Sequence, residues 1–319
     1  MGGGVRLGRA AGAGGWAGGG ERGSLRRGGE LMILCQASVA KGLLMSASDE
    51  TSGDGDISSL FSVRGKVAVV TGGSRGIGAM IASGLVRAGC RVYITARKAA
   101  ECDAKAAELS AFGECISVPS NLAGPDGIDQ LMEVVGTHEN RLHILVNNAG
   151  AAWGAPLEEY PLDAFDKLWN VNIKALFELT VRCLPLLRAA ASAADPGRVV
   201  NIGSIDGLTI PATENYAYST TKAGVHMLTR HLASRLARDP ITVNAIAPGP
   251  FDSKMMAFVL DDPATRAEVA QRIPLGRIGE PDDVAGAVIY LSSRAGRYVT
   301  GTVIPVDGGA TFARASSGR

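Results

Sequence analysis

The sequence predicts a single α/β domain, a doubly wound parallel sheet with helices on both faces, behind an N-terminal extension. Three observations carry that reading. From residue 66 onward, short β-branched runs alternate with longer helical patterns, which implies parallel strands joined by right-handed crossovers. A glycine-rich turn, Gly72, Gly76 and Gly78, follows the first run directly. The chain has 319 residues, 46% hydrophobic and 20% charged, enough for one large core and an appendage.

The elements follow in order. Residues 66–71 suit a buried parallel strand. The turn over 72–78 opens a helical pattern that ends near 89. A second strand spans 91–96, an Ala- and Glu-rich helix 99–112, a third strand 115–118 and a helix 126–138. The fourth strand spans 143–147, and one long helical segment follows over 162–191. The fifth strand covers 198–202, and a helix carrying Tyr218 and Lys222 runs to about 238. The sixth strand spans 241–246, and a loop with short helices occupies 250–280. Pro281 opens a helix to about 293, as proline at a first helical position should. Residues 302–306 form the last strand. In such a sheet, ligands bind outside the carboxyl ends of the strands, near the switch point.

Composition narrows the function. A net charge of +1 supplies no field that would recruit nucleic acid or an anionic membrane. Cys35, Cys90, Cys102, Cys115 and Cys183 form no C-x-x-C and read as reduced thiols rather than a disulfide or zinc framework. The four histidines show no metal-ligand spacing, so no metal is expected. No apolar run reaches the roughly 20 residues of a membrane span.

Residues 1–57 differ from the rest. Glycine repeats alternate with Arg6, Arg9, Arg22, Arg26 and Arg27, and the first acid is Glu21. Such a segment buries too little apolar surface to offset its ordering entropy, so it reads as a disordered extension before a domain over 58–319. Its arginine-rich, acid-poor start loosely fits a transit peptide to mitochondrion or plastid. Its glycine content and poor amphipathicity fit a flexible tail, or a start codon upstream of Met32 or Met45, equally well. The expected location is cytoplasmic, or organellar if the extension is a transit peptide.

The chemistry centres on Tyr218-x-x-x-Lys222. Residues four apart on a helix share one face, which sets an ammonium near a phenol. The phenol's reference pKa is about 10, and a nearby cation lowers it toward the working pH. A tyrosine tuned this way can pass a proton to or from a reacting oxygen. By itself the pair also fits a plain surface helix. Tyr216 is a decoy, with Thr220 rather than a cation at the same spacing.

The glycine turn has the pattern G-x-x-x-G-x-G. Glycines let backbone approach a pyrophosphate, and free N–H groups at the helix start favour an anion. An acid at the end of the second strand would bind the ribose 2′-hydroxyl of NAD. Here the strand ends in Ala96-Arg97-Lys98, and Arg75 lies in the turn. Two guanidinium groups can clamp a phosphate, which predicts NADP(H). On the residues alone, two solvated surface charges remain the alternative.

Taken together, Thr71-Gly72-Gly73-Ser74-Arg75-Gly76-Ile77-Gly78, Asn147-Asn148-Ala149-Gly150, Ser204, Tyr218-x-x-x-Lys222 and Pro248-Gly249 resemble the short-chain dehydrogenases/reductases over about residues 61–312. The resemblance implies a Rossmann-type fold. The stretches 153–155, 184–188, 203–204 and 303–309 are most similar to NADPH-dependent 3-oxoacyl reductases, including the one linked to rhamnolipid synthesis. It implies that Tyr218 is the proton donor. Lys222 would lower the tyrosine pKa and hold the nicotinamide ribose, Ser204 would bond the substrate carbonyl, and Asn172 would hold a water in the proton relay. Gly72, Ser74, Arg75, Gly76, Ile77, Gly78 and Arg97 would bind the cofactor. Asn148 would lie beside it, and the Phe251 backbone would meet its carboxamide. Single residues keep plainer readings: Ser204 as a turn cap, Asn172 as a polar residue at a kink. Two departures stand out. Asn121-Leu122 replaces the Asp that usually contacts adenine, and the interval from Ser204 to Tyr218 is one residue longer than in many members.

The implied reaction moves hydride from NADPH to a ketone, with a 3-oxoacyl thioester favoured and an acyl carrier protein as candidate carrier. Another substrate, a sugar, polyol or polyketide, is the first alternative. A non-catalytic binding protein on the same scaffold is the second. Met255, Met256, Phe258, Val259 and Leu260 suit an apolar lid over an acyl chain, or equally ordinary packing or a subunit contact. Trp153 is expected near the pocket mouth. The family resemblance implies a homotetramer or homodimer through its long helices.

Overall fold

The structure, a computed structural model, describes residues 57–124, 126–253 and 256–312. The extension expected over 1–57, Ile57 apart, and the expected lid residue Met255 lie outside the described residues, as does any signal for the compartment in that extension.

Seven strands form one parallel sheet: β1 (Val67–Thr71), β2 (Arg91–Thr95), β3 (Cys115–Ser117), β4 (Ile144–Asn147), β5 (Gly197–Ile202), β6 (Ile241–Pro248) and β7 (Val303–Val306). Their order is β3-β2-β1-β4-β5-β6-β7. The chain reverses direction across the sheet between β1 and β4, so the crevice expected at a switch point opens where those strands end.

Strand residues alternate between two cores. Ala68, Val70, Val92, Ile94, Ile144, Val146 and Val200 pack with α1 (Gly76–Arg87), α2 (Ala99–Leu109) and α9 (Pro281–Ser292). Val67, Val69, Tyr93, Leu145, Val199 and Val243 pack with α3 (Gly127–His138), α5 (Ala175–Ala190) and α6 (Tyr216–Leu236). Burial on both faces explains why the strands read as continuous apolar runs. Cys90, Cys102, Cys115 and Cys183 are buried free thiols within these layers.

The long segment expected as one helix is interrupted. After α4 (Asp163–Trp169), a π-helical turn covers Asn170–Lys174, and the helix then continues as α5. A π turn inserts one residue into the helical phase and is often found at functional sites. This one turns Asn172 inward, leaving it 2% exposed. Beyond β6 lie α7 (Ala257–Leu260) and α8 (Pro263–Arg272), the short helices expected there.

A buried cation ties down the opposite end of the sheet. Arg198, at the start of β5, donates to Leu291 O at 3.1 Å, Ser293 O at 3.0 Å and Asp195 Oδ1 at 3.2 Å, and also to Pro196 O. It thereby serves the last carbonyls of α9, which have no partner within the helix. Lys66 Nζ reaches the same Asp195 at 2.7 Å. Arg198→Ala should lower the unfolding free energy by about 2 kcal/mol, because it leaves the Leu291 and Ser293 carbonyls without their guanidinium donor in a buried site. A urea titration with a lower midpoint and unchanged slope is the expected record.

Candidate active site

The glycine turn, Asn148 and Ser204 follow β1, β4 and β5, and Tyr218 and Lys222 lie on the first turns of α6. Arg97 follows β2, Asn121 and Leu122 follow β3, Phe251 follows β6, and Asn172 sits on the π turn. Lys222 stands one turn beyond Tyr218. Its Nζ lies 5.6 Å from the centre of the Tyr218 ring and donates to Ile202 O, at the end of β5, at 2.8 Å. A Cβ built on Gly150 would lie 3.7 Å from that nitrogen. The ammonium therefore faces the crevice between β5 and the 147–150 turn.

The tyrosine departs from expectation. Burial pushes its pKa up to about 12, the Ser204 hydroxyl pulls it down, and the Asp206 carboxylate pushes it further up. The ammonium was expected to lower it, but here it lies over the ring and its hydrogen bond goes to the strand end. Desolvation therefore prevails. Burial also lowers Lys222 to about 8, against the opposing pull of Asp206. At neutral pH the phenol keeps its proton.

Ser204 caps a turn and also meets the tyrosine. Its Oγ accepts from the Asp206 N–H at 3.1 Å, leaving the hydroxyl proton to be given elsewhere. Asp206 was not singled out in the sequence. Its carboxyl is raised by burial and accepts from Asn215 Nδ2 at 2.7 Å. His226 was also missed. It lies one turn beyond Lys222 on α6, with Nδ1 3.3 Å from Gly207 O. A Cβ on Gly203 would come 2.1 Å from its Nε2, and one on Gly207 2.9 Å from its Cε1. Two glycines thus make room for a ring that braces the turn carrying Ser204. The only sequence signal was that pair of glycines flanking the serine. Burial lowers His226 to about 4, so the brace is neutral.

Asn172 is a tie. Its Oδ1 accepts from Ala151 N at 2.9 Å, and its Nδ2 donates to Ala151 O at 3.0 Å and Thr221 Oγ1 at 2.9 Å. The π turn supplies this inward reach. The kink reading of the sequence fits; a water held there would have the remaining lone pair of Oδ1.

The glycine turn has the shape an anion needs. Gly72 and Gly76 take φ of +66° and +54°, a region that disfavours side chains. A Cβ on Gly78 would lie 2.2 Å from Gly72 O. No side chain caps the start of α1 at Arg75, so its first N–H groups face the crevice uncapped. Thr71 Oγ1 accepts from the N–H groups of Asn148 and Ala149, each at 2.8 Å. Asn148 Nδ2 returns a bond to Thr71 O at 2.8 Å. Ser74 is partly buried, and Ile77 packs on the first core. Arg75, Arg97 and Asn121 are exposed, while Leu122 is buried.

Of the readings left open for the segment after β6, one is favoured. Met256 and Leu260 pack with Ile273 and Ile278 in a small satellite core, so ordinary packing describes them better than a lid. Of Phe258 and Val259, only the backbone in α7 is described. The Phe251 ring is core as well: its backbone bridges to Gly279, and a Cβ there would lie 2.5 Å from Phe251 Cζ. Trp153 is 44% exposed, with Lys167 Nζ 5.6 Å over its ring. The adjacent Ala155 N–H donates to Glu214 O at 3.1 Å, beside the loop that leads into α6. A cleft of about 550 Å³ under that loop is lined by Asp206, Leu208, Ile210, Glu214, Tyr216 and Ala223, on the flank of α6 away from Lys222.

Residues 72–311 match a family model described as enoyl-(acyl carrier protein) reductase. The chain belongs to the short-chain dehydrogenase/reductase family. It is 47% identical to the rhamnolipids biosynthesis 3-oxoacyl-[acyl-carrier-protein] reductase of Pseudomonas aeruginosa, over 78% of this chain and 97% of that one. It is 35% identical to the 2-dehydro-3-deoxy-D-gluconate 5-dehydrogenase of Escherichia coli, over 79% of this chain and 98% of that one. Among solved structures, the Pseudomonas aeruginosa RhlG/NADP active-site complex superposes with a TM-score of 0.77 at 46% identity, covering 79% of this chain and 99% of that one. Like its relatives, this member is an oxidoreductase.

The bracing role of His226 can be tested by stability alone. Gly203→Ala should cost about 1–3 kcal/mol, the usual price of forcing a methyl into a filled site. Combining it with His226→Ala should recover part of that loss, because the two groups compete for one space. Strict additivity in urea unfolding would mean that the ring does not fill the space over Gly203.

Proposed function

We propose that this chain is an NADP(H)-dependent ketone reductase whose substrate is a 3-oxoacyl thioester, reduced to the 3-hydroxyacyl product. The observation that carries the reading is that the 148–150 turn meets Lys222 on one side and Gly72 of the glycine turn on the other, with Tyr218 and Ser204 next to the lysine. The crevice fits the cofactor: Gly72, Gly76 and Gly78 leave room for a pyrophosphate, and Ser74 and Ile77 complete the turn. Arg75 and Arg97 stand exposed where a 2′-phosphate would need cations. Lys222 would hold the nicotinamide ribose, with Asn148 and the Phe251 backbone beside it and Asn121 and Leu122 toward the adenine.

When bound, the reduced nicotinamide supplies hydride to the ketone carbon. The chain's own part is at the oxygen. The Ser204 and Tyr218 hydroxyls donate to it as negative charge grows there, and that growth is what makes the bonds catalytic. Tyr218 gives up its proton, and the Lys222 ammonium stabilises the phenolate that forms. Asn172 keeps α6 seated against the 147–151 turn while this happens.

A sugar or polyol substrate is the second reading, favoured by the 35% identity to the 2-dehydro-3-deoxy-D-gluconate 5-dehydrogenase of Escherichia coli. An acyl carrier protein as carrier is part of the first reading. A homodimer or homotetramer is supported by exposed apolar side chains on the long helices, Trp169, Phe177, Val181 and Met227.

The test is a substrate panel followed by nucleotide oxidation. Acetoacetyl-coenzyme A and longer 3-oxoacyl thioesters should consume NADPH, with NADH much slower. Preference for a keto-gluconate would hand the site to the second reading. Comparable rates with NADH would defeat the arginine argument. Tyr218→Phe should lower turnover by about a hundredfold or more, with NADPH binding retained. The pH dependence follows from Lys222. Its charged form, present below about 8, favours proton loss from Tyr218. Ketone reduction should therefore hold below that pH and fall above it. A profile flat from neutral into the alkaline range would remove the lysine from this role.

A further inference from the structure

Glu101, in the first turn of α2, holds two cations at once. Its Oε2 accepts from Arg75 at 3.2 Å and its Oε1 from Lys98 Nζ at 2.7 Å. Arg75 belongs to the glycine turn and Lys98 to the segment that follows β2. One carboxylate thus spans the two chain segments between which the adenosine half of a dinucleotide would enter. The three side chains are 47%, 65% and 40% exposed for Arg75, Lys98 and Glu101, so the pairing is solvated and can rearrange.

We propose that Glu101 is a specificity-setting residue that competes with the cofactor's 2′-phosphate for Arg75 and so restrains the preference for NADP(H) over NAD(H). The proposal rests on the cofactor reading above. A phosphate monoester carries nearly two negative charges and binds a guanidinium fork through paired hydrogen bonds. Glu101 already occupies one arm of that fork. A phosphate arriving on Arg75 must share the cation with a carboxylate a few ångströms away, or displace it. Either course weakens binding by several-fold rather than by orders of magnitude, because the groups are exposed and screened. NAD(H) lacks the phosphate and meets no such opposition. Its free 2′-hydroxyl can donate to a carboxylate, the part an acid after the second strand plays in NAD-binding sheets. The arginines attract the phosphate, and Glu101 limits how far that attraction goes.

The experiment uses the full chain, wild type and Glu101→Gln, titrated with NADPH and with NADH and followed by nucleotide fluorescence. The substitution is exposed, and unchanged circular dichroism checks the fold. In Glu101→Gln, the Kd for NADPH should fall about three- to tenfold, while that for NADH stays within about twofold or rises. The gain should shrink as salt is raised, since the screening length drops from about 10 Å at 0.1 M to about 3 Å at 1 M. Unchanged or weaker NADPH binding in the variant would overturn the proposal and leave Glu101 a structural ion pair. Equal tightening of both nucleotides would overturn it too, placing the effect on groups the two share. Wild-type protein that binds neither nucleotide would sink the cofactor reading itself, an outcome visible before the variant is measured.

Discussion

Two backbone N–H groups, those of Asn148 and Ala149, converge on the hydroxyl of Thr71 at 2.8 Å each. The rest of the site depends on this junction. β1 and β4 pair through Ala68–Val70 and Ile144–Val146, and beyond that the sheet offers nothing to keep their ends together. The threonine closes the gap and sets the distance between the glycine turn and the turn after β4. From there the constraint passes along the chain. Ala151 bonds Asn172, Asn172 bonds Thr221, and Thr221 lies between Tyr218 and Lys222 on α6. The glycine turn and Tyr218 are thus connected through polar side chains whose alternatives, once buried, are unpaired.

Much of this was readable in the amino acids. The strands announced themselves because both faces of the sheet are covered, so each is a run of β-branched residues rather than an alternation. Tyr218 and Lys222 were found by helical spacing, and the glycines by their place after β1. What escaped has a common cause. Arg198 is satisfied by carbonyls of Leu291 and Ser293, far along the chain, and no local pattern encodes that. His226 looked like one more residue of a helix until Gly203 and Gly207 folded around it. Met256 and Leu260 fit a lid or ordinary packing equally well in sequence, and only their contact with Ile273 and Ile278 from the next segment favours packing.

The electrostatics shows where sequence reasoning reaches its limit. A cation four residues from a phenol is a sound reason to expect a lowered pKa, but it counts charges and not solvent. Here burial drives both Tyr218, which is partly buried, and Lys222, which is buried, toward their neutral forms, and Asp206 pulls the lysine back.

The π turn at Asn170–Lys174 constrains what changes in length the helix can accept. Each residue advances an α-helix by about 100°. Deleting one residue there would restore regular winding, but would swing the stripe Leu176, Leu179, Cys183 and Leu187 away from the sheet it covers. Adding one would do the same in the other direction. The surplus residue is therefore locked in by the core beyond it. Asn172 can be exchanged for another side chain, but the count of residues between Trp169 and Ala175 cannot drift without dismantling one layer of the domain.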